Sequence, residues 1–369
     1  MSTAIKRVDV FGYRLTYVHG DYVMSGGRTI TALPSTVVRI TTDDGAEGFG
    51  ETCPLGPAYV PAHAEGARAA LRVLAPAVLG LPVENLAAVG RALDAALMGH
   101  GYAKSAIDIA CWDAYGKTVG LPVYQLLGGL LSEQFPLYFA VPLGSVADMA
   151  AYVAARRSEG IHRFQLKVGA DPVEDAARTR RIVDETSDED IIVADANGGW
   201  QLQDAVIAAR ALETLPRVLL EQPCASLEEC LIVRRRTTMP MVLDESIHDV
   251  HSLLRAHGAK AMEAINLKIS KVGGLTSARL IRDLAETLGL RLTIEDTWGG
   301  DLVTAAVAHL AASTQRENLF TVSFMNDWTN EHVAGYEPRS RNGFGGAPSR
   351  PGLGIDVDVS AVGEPLFHT

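Results

Sequence analysis

A chain of 369 residues is roughly two or three times a typical single domain, and 47% hydrophobic with 21% charged residues marks a packed globule rather than a disordered chain. Thirty-three Lys and Arg against 44 Asp and Glu give a formal charge of −11, so no basic stripe exists to neutralise a phosphate backbone, and nucleic acid is excluded as a main partner. Four scattered cysteines (Cys53, Cys111, Cys224, Cys230) without a CxxC pair exclude a disulfide framework or zinc site, and no run of about 18 apolar residues is present to span a membrane, so a cytoplasmic enzyme for small molecules is expected.

Residues 8–17 and 35–42 alternate as strands, and Asp43-Asp44-Gly45 predicts a hairpin turn into 46–51. Two loops stand out: 19–30, which holds Met24-Ser25-Gly26-Gly27-Arg28, and 53–63, with three prolines. Residues 64–120 carry apolar side chains at helical spacing, and Leu127-Gly128-Gly129 closes an α+β domain over 1–128.

Beyond residue 136 short apolar runs alternate with amphipathic helical stretches: 137–143, 163–168, 191–195, 218–221, 241–244, 264–268, 290–295 and 319–324. Five runs end at Lys167, Asp195, Glu221, Asp244 and Lys268, spaced 28, 26, 23 and 24 residues apart. A period in the mid-twenties repeated about eight times predicts an α/β, TIM-type (β/α) barrel over 129–342. A doubly wound open sheet would bring a glycine fingerprint after its first strand, and none is present. The Gly- and Pro-rich tail, 343–369, is expected to return as a strap to the first domain.

Strand C-termini share one rim of a barrel, so Asp195, Glu221 and Asp244 would converge. Burying an unpaired carboxylate costs several kcal/mol, and three anions together call for a cation. Oxygen ligands alone favour a hard one such as Mg²⁺. Lys167 and Lys268 flank the trio, where a metal and desolvation would lower a lysine pKa towards about 7–8 and make it a base. Two other readings are weighed: salt bridges alone, or a Schiff-base aldolase using one lysine as nucleophile, for which three acids are too many.

The motifs Phe164-Gln165-Leu166-Lys167, Asp195-Ala196-Asn197-Gly198-Gly199-Trp200, Glu221-Gln222-Pro223, Asp244-Glu245-Ser246 and Asn266-Leu267-Lys268-Ile269-Ser270-Lys271 resemble the enolase superfamily. Within it they are similar to the mandelate racemase/muconate lactonizing enzyme group, muconate-lactonizing-like subgroup. The resemblance implies a modified (β/α)7β barrel with an N-terminal capping domain, one Mg²⁺ on Asp195, Glu221 and Asp244, and Lys167 and Lys268 as opposed acid/base catalysts. It also implies abstraction of the α-proton of a small carboxylate substrate through an enediolate, and a homo-oligomer. One departure is Gln165, where the family often has lysine; Lys271 is placed in the loop after the strand that Lys268 ends.

The cap loops look like those of members acting on proline derivatives. The leading expectation is therefore a racemase or epimerase of proline-type amino acids or their betaines. The alternatives are dehydration of cis-3-hydroxy-L-proline, or a dipeptide epimerase or N-acylamino-acid racemase. Candidate substrate contacts are Tyr59 (as a cation–π partner), Asn197, Asp296 and Trp298, with Phe324 as a further ring. Glu295 or Asp296 could instead pair with a substrate ammonium. A tryptophan on the last strand, expected of betaine enzymes, is not evident.

Overall fold

The computed structural model describes residues 3–369. Three antiparallel strands open the chain: β1 (Ile5–Thr16), β2 (Ala32–Thr42) and β3 (Glu47–Thr52). Val10 faces Val38 across the first pair, and the Asp43–Gly45 turn closes with the Thr42 amide donating to the Ala46 carbonyl at 2.9 Å. Helices α1 (Ala64–Ala77), α2 (Leu86–Ala96) and α3 (Gly101–Val119) follow. Val8, Val10, Val38 and Ile40 form one core with Leu71, Leu74, Ile107 and Ala110. Gly48 and Gly50 permit that packing, because a Cβ on either would come within 2.1 Å of an α3 carbonyl.

The second part is an eight-stranded parallel sheet in sequential order. Its strands and helices alternate: β4 (Phe139–Val141), α4 (Val146–Ser158), β5 (Arg163–Lys167), α5 (Pro172–Asp184), β6 (Ile191–Asp195), α6 (Leu202–Leu212) and β7 (Val218–Glu221). Then come α7 (Leu227–Arg234), β8 (Met241–Leu243), α8 (Val250–Gly258), β9 (Ala264–Lys268), α9 (Leu275–Thr287), β10 (Arg291–Glu295), α10 (Asp301–Ala312) and β11 (Leu319–Val322). A parallel bridge between Leu137 and Val322, with the Tyr138 amide donating to the Val322 carbonyl at 3.0 Å, joins the two edges into a barrel. Seven crossover helices and a final strand without one make this a (β/α)7β barrel. Ser145, Asp171, Ser226 and Asp249 accept first-turn amides of α4, α5, α7 and α8, so the sequence writes these helix starts locally.

The apolar runs at 137–143 and 319–324 are longer than the strands within them, because their ends pack as irregular chain around the closure. The 19–30 loop contains a short antiparallel pair, Tyr22–Val23 with Thr29–Ile30. The tail returns to the first sheet: β12 (Phe367–His368) pairs with β1, Phe367 opposite Val10. Buried Asp113 of α3 anchors this return, accepting the Phe49 amide (2.8 Å), the Leu353 amide (2.7 Å) and the Lys117 ammonium (2.7 Å). No helix among the described residues is long and apolar enough to cross a membrane.

Candidate active site

Alternation along parallel strands sorts the barrel interior into layers. Val193, Val242, Ala264 and Phe320 form an apolar plug. Gln165, Asn266 and Thr293, each two residues short of its strand end, lie above it. The strand ends then supply charge: Lys167 stands beside Asp195, Asp195 beside Glu221, and Lys268 beside Glu295 in the ladder. Asp244 lies one residue past β8. Strands β5 and β9 are four apart in a ring of eight, so Lys167 and Lys268 rise from opposite walls.

Every member of this rim is buried and partnered. Lys167 donates to Asp195 Oδ2 and, at 2.8 Å, to Gln165 Oε1. Gln165 Nε2 in turn donates to both Glu221 oxygens at 3.0 and 3.1 Å, and Asn266 Nδ2 donates to Glu221 Oε1 at 2.7 Å. Lys268 pairs with Asp244 Oδ2, while Lys271 donates to Asp244 Oδ1 at 2.8 Å and to its carbonyl at 2.7 Å. Lys271 thus belongs to the site; it sits on a helical turn, Ile269–Val272, rather than in the expected loop.

Burial, then the charges of Asp195 and Asp244, push the Glu221 carboxyl well above its ordinary value, so the three acids act on one another. Burial opposes the Asp244 charge, but Lys268 and Lys271 outweigh it and hold that carboxyl far down. The same balance raises both lysines: burial disfavours their charge, and Asp195 and Asp244 respectively overcome it. The expected lowering towards neutrality is therefore not a property of this arrangement, in which Lys167 is paired with Asp195 and Lys268 with Asp244.

Among the described residues no three His, Cys, Asp or Glu side chains converge in metal-binding geometry, since Asp195 and Asp244 are turned onto lysines and Glu221 onto amides. The donor chemistry nevertheless fits a hard divalent cation: three buried carboxylates, with Asn197 Oδ1 and Asn266 Oδ1 buried and lacking hydrogen-bond partners.

A small cavity of about 30 Å³ separates the lysines. Tyr22, Met24 and Leu55 of the cap line it together with Tyr138, Trp298 and Trp328. Trp298 packs edge-on against Tyr22 at 5.4 Å and against Trp328 at 5.7 Å. Trp328 lies on a 3-10 turn, Met325–Trp328, just beyond the last strand, which is why a search for tryptophan on that strand misses it. Phe324 packs instead against Phe135.

Tyr59 reaches in from the cap, but its hydroxyl leads: it donates to Glu245 Oε1 (2.6 Å) and Asp244 Oδ2 (3.2 Å) and accepts from Lys268 (3.0 Å). Asn197 Nδ2 donates to Glu245 Oε1 at 3.1 Å. Glu245, absent from the expected site, is half-buried and pushed to about 7, first by desolvation and then by Asp244. Asp296 Oδ2 accepts from the Ser270 amide (3.0 Å) and hydroxyl (2.6 Å), and its Oδ1 from the Thr297 amide (2.7 Å). Its strand neighbour Glu295 accepts from the Tyr138 hydroxyl and stands 3.7 Å from the Lys268 ammonium.

Comparison with known proteins agrees with this architecture. Residues 18–128 match the mandelate racemase/muconate lactonizing enzyme N-terminal domain, and 148–361 match the enolase C-terminal domain-like family. The chain is 44% identical to a cis-3-hydroxy-L-proline dehydratase of Roseibium aggregatum over 98% of each, and 27% identical to an N-succinyl-L-Arg/Lys racemase of Bacillus cereus over 98% and 97%. An enolase-superfamily structure from Roseovarius nubinhibens, complexed with magnesium, superposes with a TM-score of 0.94 at 36% identity over all of both chains. With the barrel, the cap and both family domains in register, the chain belongs to the mandelate racemase/muconate lactonizing enzyme family of the enolase superfamily.

Proposed function

We propose that this protein removes the α-proton of a proline-type amino acid and expels a β-hydroxyl, so that cis-3-hydroxy-L-proline loses water. The observation that carries the reading is the pair of buried lysines facing one small cavity from opposite walls. The 44% identical relative supports the substrate class. The aromatic lining of Tyr22, Tyr138, Trp298 and Trp328 suits a compact ring.

Asp195, Glu221 and Asp244 would hold a divalent cation, which supplies the positive charge that offsets the second negative charge developing on the substrate carboxylate. Gln165 and Asn266 hold Glu221 in place through three amide hydrogen bonds. In the cis isomer the carboxylate and hydroxyl share one face of the ring, so the α-hydrogen and the hydroxyl lie on opposite faces. With Asp195 and Asp244 drawn onto the cation, the lysine on one wall would lose the carboxylate that keeps it charged; once neutral it takes the α-proton, and the C–H electron pair becomes the Cα–Cβ double bond as the C–O bond breaks. The charged lysine on the other wall gives its proton to the departing oxygen, which leaves as water. The enamine product tautomerises to the cyclic imine, and solvent restores both lysines. Opposed walls therefore match an anti elimination.

A second reading, 2-epimerisation, rests on the same pair: a proton taken by one lysine is replaced from the other face, and the racemase and epimerase relatives favour it. Incubation with cis-3-hydroxy-L-proline and with proline in D₂O separates the two. We expect loss of one water from the first, and its abolition by chelator and by Lys167→Ala or Lys268→Ala, each lowering the rate by at least about 10²-fold. Inverted, deuterated amino acid without water loss would establish epimerisation instead. Exchange that survives both lysine variants would falsify the acid/base assignment.

A further inference from the structure

An α-amino acid zwitterion brings an ammonium as well as a carboxylate into the cavity, and the ammonium needs an acceptor. Two carboxylates outside the proposed ligand trio line the space, Glu295 and Asp296. Asp296 has both oxygens engaged by Ser270 and Thr297, which ties it to the turn after β9. Glu295 differs. Its Oε2 accepts from Tyr138, but its Oε1 is buried and has no hydrogen-bond partner, and Lys268 at 3.7 Å is beyond hydrogen-bond reach. A buried acceptor left without a donor is costly and calls for a ligand that supplies one.

Position agrees with chemistry. The three acids lie on the consecutive strands β6, β7 and just past β8, and β10 stands four places from β6 in the ring. A substrate whose carboxylate faces the acids therefore has its amine on the Glu295 side. Trp298 and Trp328 border the same cavity with aromatic surface for a cationic ring.

We propose that Glu295 Oε1 receives an N–H of the substrate's ring ammonium and so selects a free secondary amine over the N,N-dimethylated betaine. The proposal rests on the α-proton reading of this site. A betaine has no N–H to give and would leave Oε1 buried without a donor, the situation in which polar sites discriminate most strongly.

The test is calorimetric binding of L-proline and of its N,N-dimethyl betaine to the Mg²⁺-loaded enzyme, for the native protein and for Glu295→Gln, which keeps shape and removes charge. Native protein should favour L-proline by tenfold or more, and Glu295→Gln should bring the two ligands within about threefold without weakening the betaine. Equal affinities in the native protein, or a preference that survives the substitution, overturn the proposal. An equal loss for both ligands with a fall in kcat also overturns it, since Glu295 would then act only by positioning Lys268. If α-deuterium exchange is intact while selectivity is absent, this inference alone fails; if exchange is absent as well, the function reading has failed with it.

Discussion

Gln165 shows how much a single side chain decides in this site. Its carbonyl oxygen accepts from Lys167 while its amide nitrogen donates to both oxygens of Glu221, so it links the proposed base to the proposed metal ligand. Replacing it with Leu removes all three bonds inside a buried layer, at about 1–3 kcal/mol for groups left unpaired. Gln165→Leu should unfold at lower denaturant and need more Mg²⁺ for half-maximal activity; unchanged metal dependence would show that Glu221 is held by Asn266 alone. The five charged residues are legible from sequence because a charge ending an apolar run demands a reason. The roles of Gln165 and Asn266 are not: Gln165 stands out only as a departure from the family's lysine, and one amide inside such a run carries no local signal of what it holds. Choosing between Glu295 and Asp296 likewise needs the ladder, which sets Glu295 beside Lys268 and turns Asp296 towards Ser270.

At the level of elements, one carboxylate ties the cap to the start of α10. Glu51, buried on β3, accepts from the Gly300 amide (3.0 Å) and the Val303 amide (3.2 Å) at the start of α10, and from Tyr13 (2.5 Å) and Ser35 (2.7 Å). It acts as an N-cap supplied from another domain, with the favourable charge for a helix N-terminus. Glu51→Gln turns one acceptor into a donor facing donors and should cost about 1.5–3 kcal/mol in chemical denaturation. Because the loop from Glu295 to Gly300 carries Trp298, KM should rise more than kcat falls; a pure stability loss would separate the cap contact from substrate binding. Helix starts with Ser or Asp caps and the Asp-Asp-Gly hairpin can be read locally. A cap delivered from 249 residues away cannot, and neither can Trp328, which reaches the cavity only because the chain turns into a 3-10 segment after β11.

For the whole molecule, the pairing of Asp195 with Lys167 and of Asp244 with Lys268 and Lys271, and the amide bonds to Glu221, predict folding that does not depend on the metal. Chelator should leave the protein folded, and Mg²⁺ at a hundredfold over its Kd should add about 2.7 kcal/mol, seen as a rise in Tm that Asp195→Asn largely removes. Acidity works elsewhere. His309 of α10 is buried and neutral, accepting the Tyr124 amide on Nδ1 (3.2 Å) and donating from Nε2 to the Leu353 carbonyl (3.0 Å); burial lowers it from 6.5 to about 4. The unfolded chain therefore takes up its proton first as pH falls, so the contribution is complete above about 6.5 and is lost on the way down to about 4, on the order of 3 kcal/mol. Asp108, raised to about 6 by burial, acts in the opposite sense over part of that window. The His309 share is isolated as the stability gap between native protein and His309→Gln, which should narrow from pH 8 to pH 5; a constant gap would show that this histidine does not titrate with unfolding.

The pairing of β12 on β1 has a consequence for how the protein is made. An outer strand of the cap sheet is drawn from residues 367 and 368, so translation of the entire barrel precedes completion of the lid that covers it. Until then β1 presents an open hydrogen-bonding edge to every neighbouring nascent chain, and the interval before the tail emerges is when self-association would compete with correct assembly.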